Sequence, residues 1–344
     1  MHCRRVTAAL AAGLALGLCS LAAQAETITL RLADSLPAGH IIHRVVTKPF
    51  MDEVEKETGG QVTFQHFPGE QLGKAKDMLN LTQSGLVDVG YVVPAYASDK
   101  MPLSAGMELP GVFSSYCQGM SALYALTHNG GYLEANEFAP NKVVPLIAFL
   151  LPPYQVVLGA DRKVAAVKDL AGLKVRSAGG SMDFMLKGLG MIPVRMTPPE
   201  IYESLSRGTI DGAMLPYMSV DSYGITNLLK SGTSQINFGS VALTYSIGAD
   251  KWKQLPEAVR TALAKAAEKV SKAACKTFEA AEGDLFAKVR AANVRTIEFG
   301  AADLKELHSV FEQVGAEWAG ALDQRGKPGT AALAAIKQAI EASK

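Results

Sequence analysis

The sequence of 344 residues has little cysteine, no excess of charge of one sign and no long apolar run beyond its start. Four cysteines are too few for a disulfide-stabilised scaffold. Lysine and arginine number 34 against 33 acidic residues, so no basic excess indicates a nucleic-acid partner. No segment beyond the amino terminus approaches the roughly 20 apolar residues that a membrane span requires. Hydrophobic residues still make up 48% of the chain, which is enough for a large core in more than one domain.

The amino terminus has the pattern of a secretory signal peptide. Arg4 and Arg5 precede an apolar segment of small residues over 6–23, and residues 23–25 read Ala-Gln-Ala, a cleavage signal. A transmembrane anchor is the alternative, but this Ala/Gly-rich segment ends at the cleavage signal. We therefore expect cleavage after Ala25 and an exported mature chain with nearly balanced charge.

Export would leave two cysteines, Cys117 and Cys275, in an oxidising compartment. They can form one disulfide across a long loop, or they can remain two buried thiols, because free cysteine packs as a small hydrophobic residue. Neither lies in a C-x-x-C motif or near a histidine in sequence, so nothing indicates a redox or metal role.

Hydrophobic periodicity in the first third of the chain predicts alternating strands and helices. Strands are predicted over 27–33, 61–67 and 86–93, and helices over 41–57 and 74–84. This order is typical of an α/β domain in which helices cover a mainly parallel sheet.

The same pattern recurs in the middle of the chain, followed by a helical carboxyl-terminal part. The predicted strands are 143–151, 155–158, 173–176 and 209–215, and the predicted helices are 182–188, 200–206, 255–292, 303–323 and 330–342. A helix over 255–292 would be roughly 50 Å long at 1.5 Å per residue. Such a helix is longer than one lobe, so we expect it to lie across both.

The sequence lacks the local motifs of common enzyme classes: the nucleophile elbow, the P-loop, the dinucleotide fingerprint and the H-E-x-x-H zinc motif. The six histidines are scattered. His40 and His43, three residues apart at a predicted helix start, could bind a metal, but a polar helix entry accounts for them better. We therefore expect no enzymatic activity, no cofactor and no metal.

Arg176 is the most informative single residue. It lies at the carboxyl end of a predicted strand and is followed by a glycine-rich turn and a helix. Ligands of α/β sheets bind at such strand ends, and a guanidinium group matches the geometry of a carboxylate. An exposed arginine at the sheet edge fits the same pattern, so the residues alone leave both alternatives open.

Several segments resemble the solute-binding proteins of tripartite ATP-independent periplasmic (TRAP) transporters. Residues 67–73 read F-P-G-E-Q-L-G, 85–88 read G-L-V-D, 169–176 read D-L-A-G-L-K-V-R, and 200–205 read E-I-Y-E-S-L before the D-G pair at 211–212. The opening segment 35–40 and the Trp252 to Leu-Pro-Glu segment before the long helix resemble the family as well. The order and spacing of these segments carry the resemblance, which covers nearly the whole mature chain.

The resemblance implies an α/β fold of the two-lobed periplasmic binding protein type, with a long helix spanning both lobes and a ligand enclosed between them. Residues 1–25 would be the signal peptide, 26–152 with about 244–280 lobe I, and 153–243 with about 281–344 lobe II. It also implies that Arg176 binds the carboxylate of the ligand.

The sequence departs from many relatives at the site. No second arginine occurs around 155–157, and the residues after the D-G pair are apolar or aromatic instead of acidic or amide. A second buried carboxylate would therefore lack a cation. We expect a monocarboxylate with a hydroxyl, keto or ring substituent, and candidate walls at Tyr91, Tyr154, Met214 and Tyr217. Ordinary core packing is the alternative for each of these four side chains.

The sequence thus predicts a monomeric periplasmic protein that captures a small organic acid anion and delivers it to a TRAP membrane permease. The alternative is the ligand-sensing subunit of a two-component kinase, which would have the same fold. No nucleic acid partner is expected.

Overall fold

The computed structural model describes residues 27–37, 39–234 and 236–344. The predicted signal peptide and its cleavage site lie outside the described residues. Eleven strands occur in this described part: β1 Ile28–Ala33, β2 Val62–Phe67, β3 Val89–Val92, β4 Val143–Leu150, β5 Gln155–Leu158, β6 Lys174–Ser177, β7 Ile192–Arg195, β8 Gly212–Leu215, β9 Ser231–Thr233, β10 Ala242–Gly248 and β11 Arg295–Ile297.

Ten α-helices accompany these strands in the same ranges. They are α1 Lys48–Glu57, α2 Met78–Gln83, α3 Tyr116–Thr127, α4 Ser181–Gly188, α5 Ile201–Ser206, α6 Tyr217–Ser222, α7 Ala249–Gln254, α8 Glu257–Ala291, α9 Ala301–Gln324 and α10 Gly329–Ala342. A wider helical turn over His43–Thr47 leads into α1. None of the described helices is both long enough and apolar enough to cross a bilayer.

The strands form two mixed sheets, each the centre of one lobe. The first has the order β2-β1-β3-β10-β4, with β1 parallel to β2 and β3, and with β10 antiparallel to β3 and β4. The second has the order β11-β9-β5-β8-β6-β7, with β6 parallel to β7 and β8. This architecture confirms the predicted two-lobed α/β fold.

Two connecting segments join the lobes and run antiparallel to each other. One follows β4 and the other precedes β10. The N–H of Leu151 donates to the carbonyl oxygen of Val241 at 3.0 Å, and the N–H of Tyr154 donates to that of Gly239 at 2.8 Å. Tyr154 therefore lies on a connection between the lobes, immediately before β5.

The long helix α8 packs against both lobes, as expected. Its 35 residues correspond to about 52 Å. The ammonium groups of Lys265 and Lys269 lie 2.7 Å from carboxylates of α1. Near the other end, Lys288 Nζ lies 2.6 Å from Asp221 on α6. The first half of α8 thus covers the first lobe and its end covers the second.

A disulfide joins Cys117 on α3 to Cys275 on α8, with the two Cα atoms 5.2 Å apart. Of the two alternatives that the sequence left open, the structure contains the disulfide. It ties the middle of α8 to the helix that packs against β4.

The last two helices, α9 and α10, pack against different lobes. Helix α9 packs against α4 of the second lobe, whereas α10 packs against α3 of the first lobe as well as against α9. The side-chain amide of Gln118 on α3 donates to the carbonyl oxygen of Ile340 on α10 at 3.0 Å. The carboxyl-terminal part therefore contacts both lobes.

Candidate ligand-binding site between the lobes

Arg176 is 1% exposed and lies on β6, between the parallel strands β7 and β8. Its Nε donates to the carbonyl oxygen of Met196 at 3.0 Å, and its Nη1 donates to that of Met214 at 3.2 Å. Its Nη2 lies 3.5 Å from the hydroxyl oxygen of Tyr96 in the first lobe. Of the two alternatives for Arg176, the structure thus shows a buried guanidinium at a strand end.

The guanidinium of Arg176 forms no ion pair with any residue in the described part of the chain. Within the same ranges it is the only lysine or arginine side chain that is buried. A buried cation without a counterion is costly, because desolvation is not offset by a nearby negative charge. Two of its five N–H groups also remain available, which suits a carboxylate.

The turn after β6 is held in place by a polar network. The hydroxyl of Ser177 donates to the carboxylate of Asp183 at 2.5 Å and accepts from the N–H of Gly179 at 2.9 Å. Arg195 Nε lies 2.6 Å from the other oxygen of Asp183. Both Gly179 and Gly180 have positive φ, at 101° and 59°, so glycine allows the sharp turn into α4. These contacts fix the backbone that presents Arg176.

Tyrosines from both lobes and from a connecting segment surround the same region. Tyr91 and Tyr154, two of the predicted walls, are both buried, and the ring of Tyr91 lies 5.3 Å from that of Tyr245. Burial raises the pKa of Tyr96, Tyr154 and Tyr223, whereas the charge of Arg176 acts in the opposite direction on all three. The hydroxyls near Arg176 are therefore neutral.

Of the other two predicted walls, Met214 contacts Arg176 through its backbone, and Tyr217 lies in a separate core. Met214 is fully buried on β8, and its carbonyl oxygen accepts from Arg176. Tyr217 packs in a separate core of the second lobe, with its ring 5.0 Å from that of Phe286 and its hydroxyl donating to the carbonyl oxygen of Thr233. The structure thus brings Tyr91, Tyr154 and Met214 to the region of Arg176 but does not bring Tyr217 there.

Two buried polar side chains near these tyrosines were not singled out from the sequence as ligand contacts. His40 lies with its ring 5.0 Å from that of Tyr223, and burial together with Arg44 lowers its pKa to about 4. Glu108 accepts a hydrogen bond from the N–H of Ala242 at 3.0 Å, and burial raises its pKa to about 8. Both groups are therefore uncharged near neutral pH.

Each of these two side chains has one atom without a hydrogen-bond partner among the described residues: Nε2 of His40 and Oε2 of Glu108. The hydroxyl of Ser181, at the start of α4, is unpartnered in the same sense. Buried polar atoms of native proteins are generally paired. These atoms are therefore candidates for contact with a bound polar molecule.

A cavity of about 540 Å³ opens between the lobes beside this region. Tyr96 both lines it and contacts Arg176. Its walls come from the first lobe and from the turns that flank β6 and β7 in the second; they include Lys74, Ala95, Tyr96, Ala178, Met196 and Glu200. The cavity therefore borders Tyr96 and Met196, two residues that contact the guanidinium, while Arg176 itself does not line it. No cluster of three potential metal ligands occurs within the described residues.

The chain is similar in sequence and in fold to known solute-binding proteins. The family model described as bacterial extracellular solute-binding protein, family 7 (DctP), matches residues 32–320. A solute-binding protein of Albidiferax ferrireducens is 26% identical over 215 residues, and the match spans 61% of this chain and 62% of that relative.

Two solved structures have closely similar folds. A TRAP solute-binding protein from a marine metagenome, described as specific for aromatic acid ligands and crystallised with 3-hydroxybenzoate, has a TM-score of 0.83 at 21% identity, over 93% of this chain and 99% of that one. A TRAP solute-binding protein from Rhodoferax ferrireducens, in complex with copurified benzoate, has a TM-score of 0.83 at 23% identity, over 92% and 98%. Since the family model spans most of the sequence, the protein belongs to the DctP family of bacterial extracellular solute-binding proteins.

Proposed function

We propose that this protein captures a small monocarboxylate anion between its two lobes and delivers it to the membrane permease of a TRAP transporter. The single observation that carries this proposal is Arg176, a buried guanidinium without a counterion in the described part of the chain. A ligand carboxylate supplies the missing charge, and the fork of N–H groups supplies the geometry.

A monocarboxylate fits better than a dicarboxylate because no second buried lysine or arginine occurs among the described residues. A second enclosed carboxylate would pay its desolvation without a partner charge. The surrounding tyrosines offer apolar ring faces and neutral hydroxyls, which suit a ring or a short carbon skeleton. Both structural neighbours were crystallised with a monocarboxylate, which supports the same ligand class.

The proposed site consists of Arg176 as the carboxylate anchor, Tyr91 and Tyr154 as walls, and Met214 as the residue whose carbonyl oxygen orients the guanidinium. We leave Tyr217 out, because its ring and hydroxyl are engaged in the second core.

Ligand capture proceeds by closure of the lobes about the two connecting segments. Arg176 belongs to the second lobe, whereas Tyr91 and Tyr96 belong to the first, so a ligand that contacts both groups binds the closed form more tightly than the open one. This difference in affinity shifts the population to the closed form.

We propose lobe boundaries near residues 152 and 243, where the chain passes between the sheets. The first lobe would include most of α8. We also assign α10 to the first lobe, in contrast to the expected boundary that placed 281–344 in lobe II, because α10 packs against α3.

Export to the periplasm with cleavage after Ala25, a monomeric state and binding without turnover complete the proposal. The family match favours transport over the kinase-sensor alternative.

The test is isothermal titration calorimetry of the purified mature protein with matched acids: benzoate against phthalate, and butyrate against succinate. We expect the monocarboxylate of at least one pair to bind at least a hundredfold more tightly than the diacid. Tighter binding of the diacids would refute the ligand class. Recovery of a chemically altered acid after incubation would refute binding without turnover, and carboxylate uptake by permease-containing vesicles without this protein would refute its transport role.

A further inference from the structure

His40 carries a buried hydrogen-bond donor that the proposed carboxylate contact does not use. The ring is 1% exposed, and its Nδ1 accepts the backbone N–H of Ile42 at 3.1 Å. Because a backbone N–H can only donate, Nδ1 carries no hydrogen and the hydrogen of the neutral ring is on Nε2. This Nε2 has no hydrogen-bond partner among the described residues.

Tyr223 links this donor to the region of Arg176. His40 belongs to the first lobe, and its ring lies 5.0 Å from that of Tyr223, which belongs to the second lobe. The charge of Arg176 and the nearby hydroxyls of Tyr96 and Tyr154 act on the hydroxyl of Tyr223. Tyr223 is therefore a common neighbour of His40 and of the carboxylate anchor, and a small acid held by Arg176 can extend toward the imidazole.

We propose that the Nε2–H of His40 donates to an uncharged oxygen, a hydroxyl or keto group, on the carbon skeleton of the bound carboxylate. This inference rests on the proposed function and narrows its ligand class to oxygen-substituted monocarboxylates. His40 then selects ligands that carry the oxygen substituent, and Arg176 selects ligands that carry a carboxylate.

An uncharged acceptor fits this donor better than a second carboxylate. A neutral imidazole offers one N–H and no positive charge, so it does not offset the desolvation of a buried anion. Burial and the neighbouring Arg44 keep the ring neutral, with a pKa of about 4. An acid without the oxygen substituent would leave the N–H unpaired in the closed form, which weakens binding.

Pairs of acids that differ by one oxygen test this directly. Calorimetry is run with 3-hydroxybenzoate against benzoate, mandelate against phenylacetate, and lactate and pyruvate against propionate. The proteins are the wild type, His40→Phe, His40→Gln and the control His43→Phe, whose partly exposed ring stacks on His66 in the first lobe.

In at least one pair, we expect the wild type and His43→Phe to bind the oxygenated acid at least about tenfold more tightly than the acid that lacks the oxygen. We expect His40→Phe to reduce that ratio below threefold, and His40→Gln, which keeps an N–H donor, to retain part of it. A purely structural role for His40 would weaken both members of a pair equally and leave the ratio unchanged.

A wild-type ratio near one in every pair would overturn the assignment of His40 while leaving the monocarboxylate proposal intact. An unchanged ratio in His40→Phe would do the same. Failure of every acid to bind the wild type would overturn the proposed function itself. If His40→Phe does not fold, the wild-type ratios and the His40→Gln protein still decide the question.

Discussion

Arg176 of the second lobe and Tyr96 of the first lobe meet across the cleft, with Nη2 of the guanidinium 3.5 Å from the phenolic oxygen. The remaining bonds of Arg176 go to carbonyl oxygens of its own lobe. The second lobe therefore holds the guanidinium of Arg176 in place, and the first lobe contacts it through Tyr96. A bound anion that contacts both lobes favours the closed form.

The first prediction concerns the charge of this anchor. Arg176→Ala should weaken binding of the cognate acid by at least a hundredfold, because the carboxylate would be buried without a cation. Arg176→Lys should weaken it by tenfold or more, since a lysine keeps the charge but loses the planar fork. Calorimetry measures both. The exposed Arg207→Ala, in the same lobe, is the control and should bind as the wild type; unchanged affinity in Arg176→Lys would contradict the bidentate contact.

A second prediction follows from Gly179, which approaches the first lobe closely. A Cβ atom at this position would lie 2.9 Å from the carbonyl oxygen of Ala95. Gly179→Ala should therefore oppose closure and weaken ligand binding, by about 1 to 3 kcal/mol for such overpacking. Calorimetry and small-angle scattering with and without ligand measure the effect.

Gly172→Ala is the matched control for this change. Gly172 lies in the same lobe and also has positive φ, at 78°, but a Cβ atom at this position would meet no other atom within 4 Å. Both alanine variants should lose stability from backbone strain, on the order of 1 kcal/mol, and only Gly179→Ala should lose affinity. Equal affinities in the two variants would show that the 179–95 contact does not limit closure.

The third prediction concerns the disulfide between Cys117 and Cys275, which are 158 residues apart in sequence. Replacing both by alanine should lower the free energy of unfolding by about 2 to 4 kcal/mol, because the unfolded chain loses a long-range constraint. Ligand affinity should change by less than about twofold, since the bond joins α3 to α8 away from Arg176. Urea unfolding with and without reductant measures the loss of stability. If reductant also lowered the stability of the double variant, the disulfide would not be the source of the loss.

Much of the fold could be predicted from the sequence, because hydrophobic residues recur at strand or helix spacing in both lobes. The strands β1 and β2 and the long helix α8 lie where the periodicity predicts them. Strand β10 was not predicted. All seven of its residues are buried, and it pairs with strands distant in sequence, so it has neither an alternating pattern nor a local partner.

The candidate site was predictable only in part, for a similar reason. Arg176 follows from the rule that ligands bind at the carboxyl ends of strands. Tyr223 and His40 come from elements far apart in the chain and meet only when the lobes approach each other. The position of Tyr217 could not be predicted, because the chain turns from β8 into α6 at this point: Met214 belongs to the large core, whereas Leu215 and Tyr217 belong to the separate core.

The fourth prediction concerns Glu108, whose carboxyl group is buried in the first lobe close to Gly180 of the second. Its Oε1 accepts from the start of β10, and its Oε2 would lie 3.5 Å from a Cβ at Gly180 in the second lobe. Burial raises its pKa from the ordinary 4.5 to about 8, and Glu137 adds to the effect. Between these values the folded protein binds a proton that the unfolded chain has released. The contribution of Glu108 to stability is therefore complete below pH 4.5 and is lost as the pH rises toward 8, with a slope of up to about 1.4 kcal/mol per pH unit.

Glu108→Gln isolates this contribution, because the amide resembles the protonated carboxyl group and does not titrate. Relative to the wild type, the variant should gain stability progressively as the pH rises from about 5 to about 8, whereas the exposed Glu306→Gln should keep a constant difference from the wild type. Urea unfolding at several pH values provides the free energies. Glu137 and Glu282 also have pKa values raised by burial, to about 7, so the wild type and Glu108→Gln should both still lose stability over this range. The decisive quantity is the difference between them: a difference independent of pH would mean that Glu108 is ionised in the folded protein throughout the range.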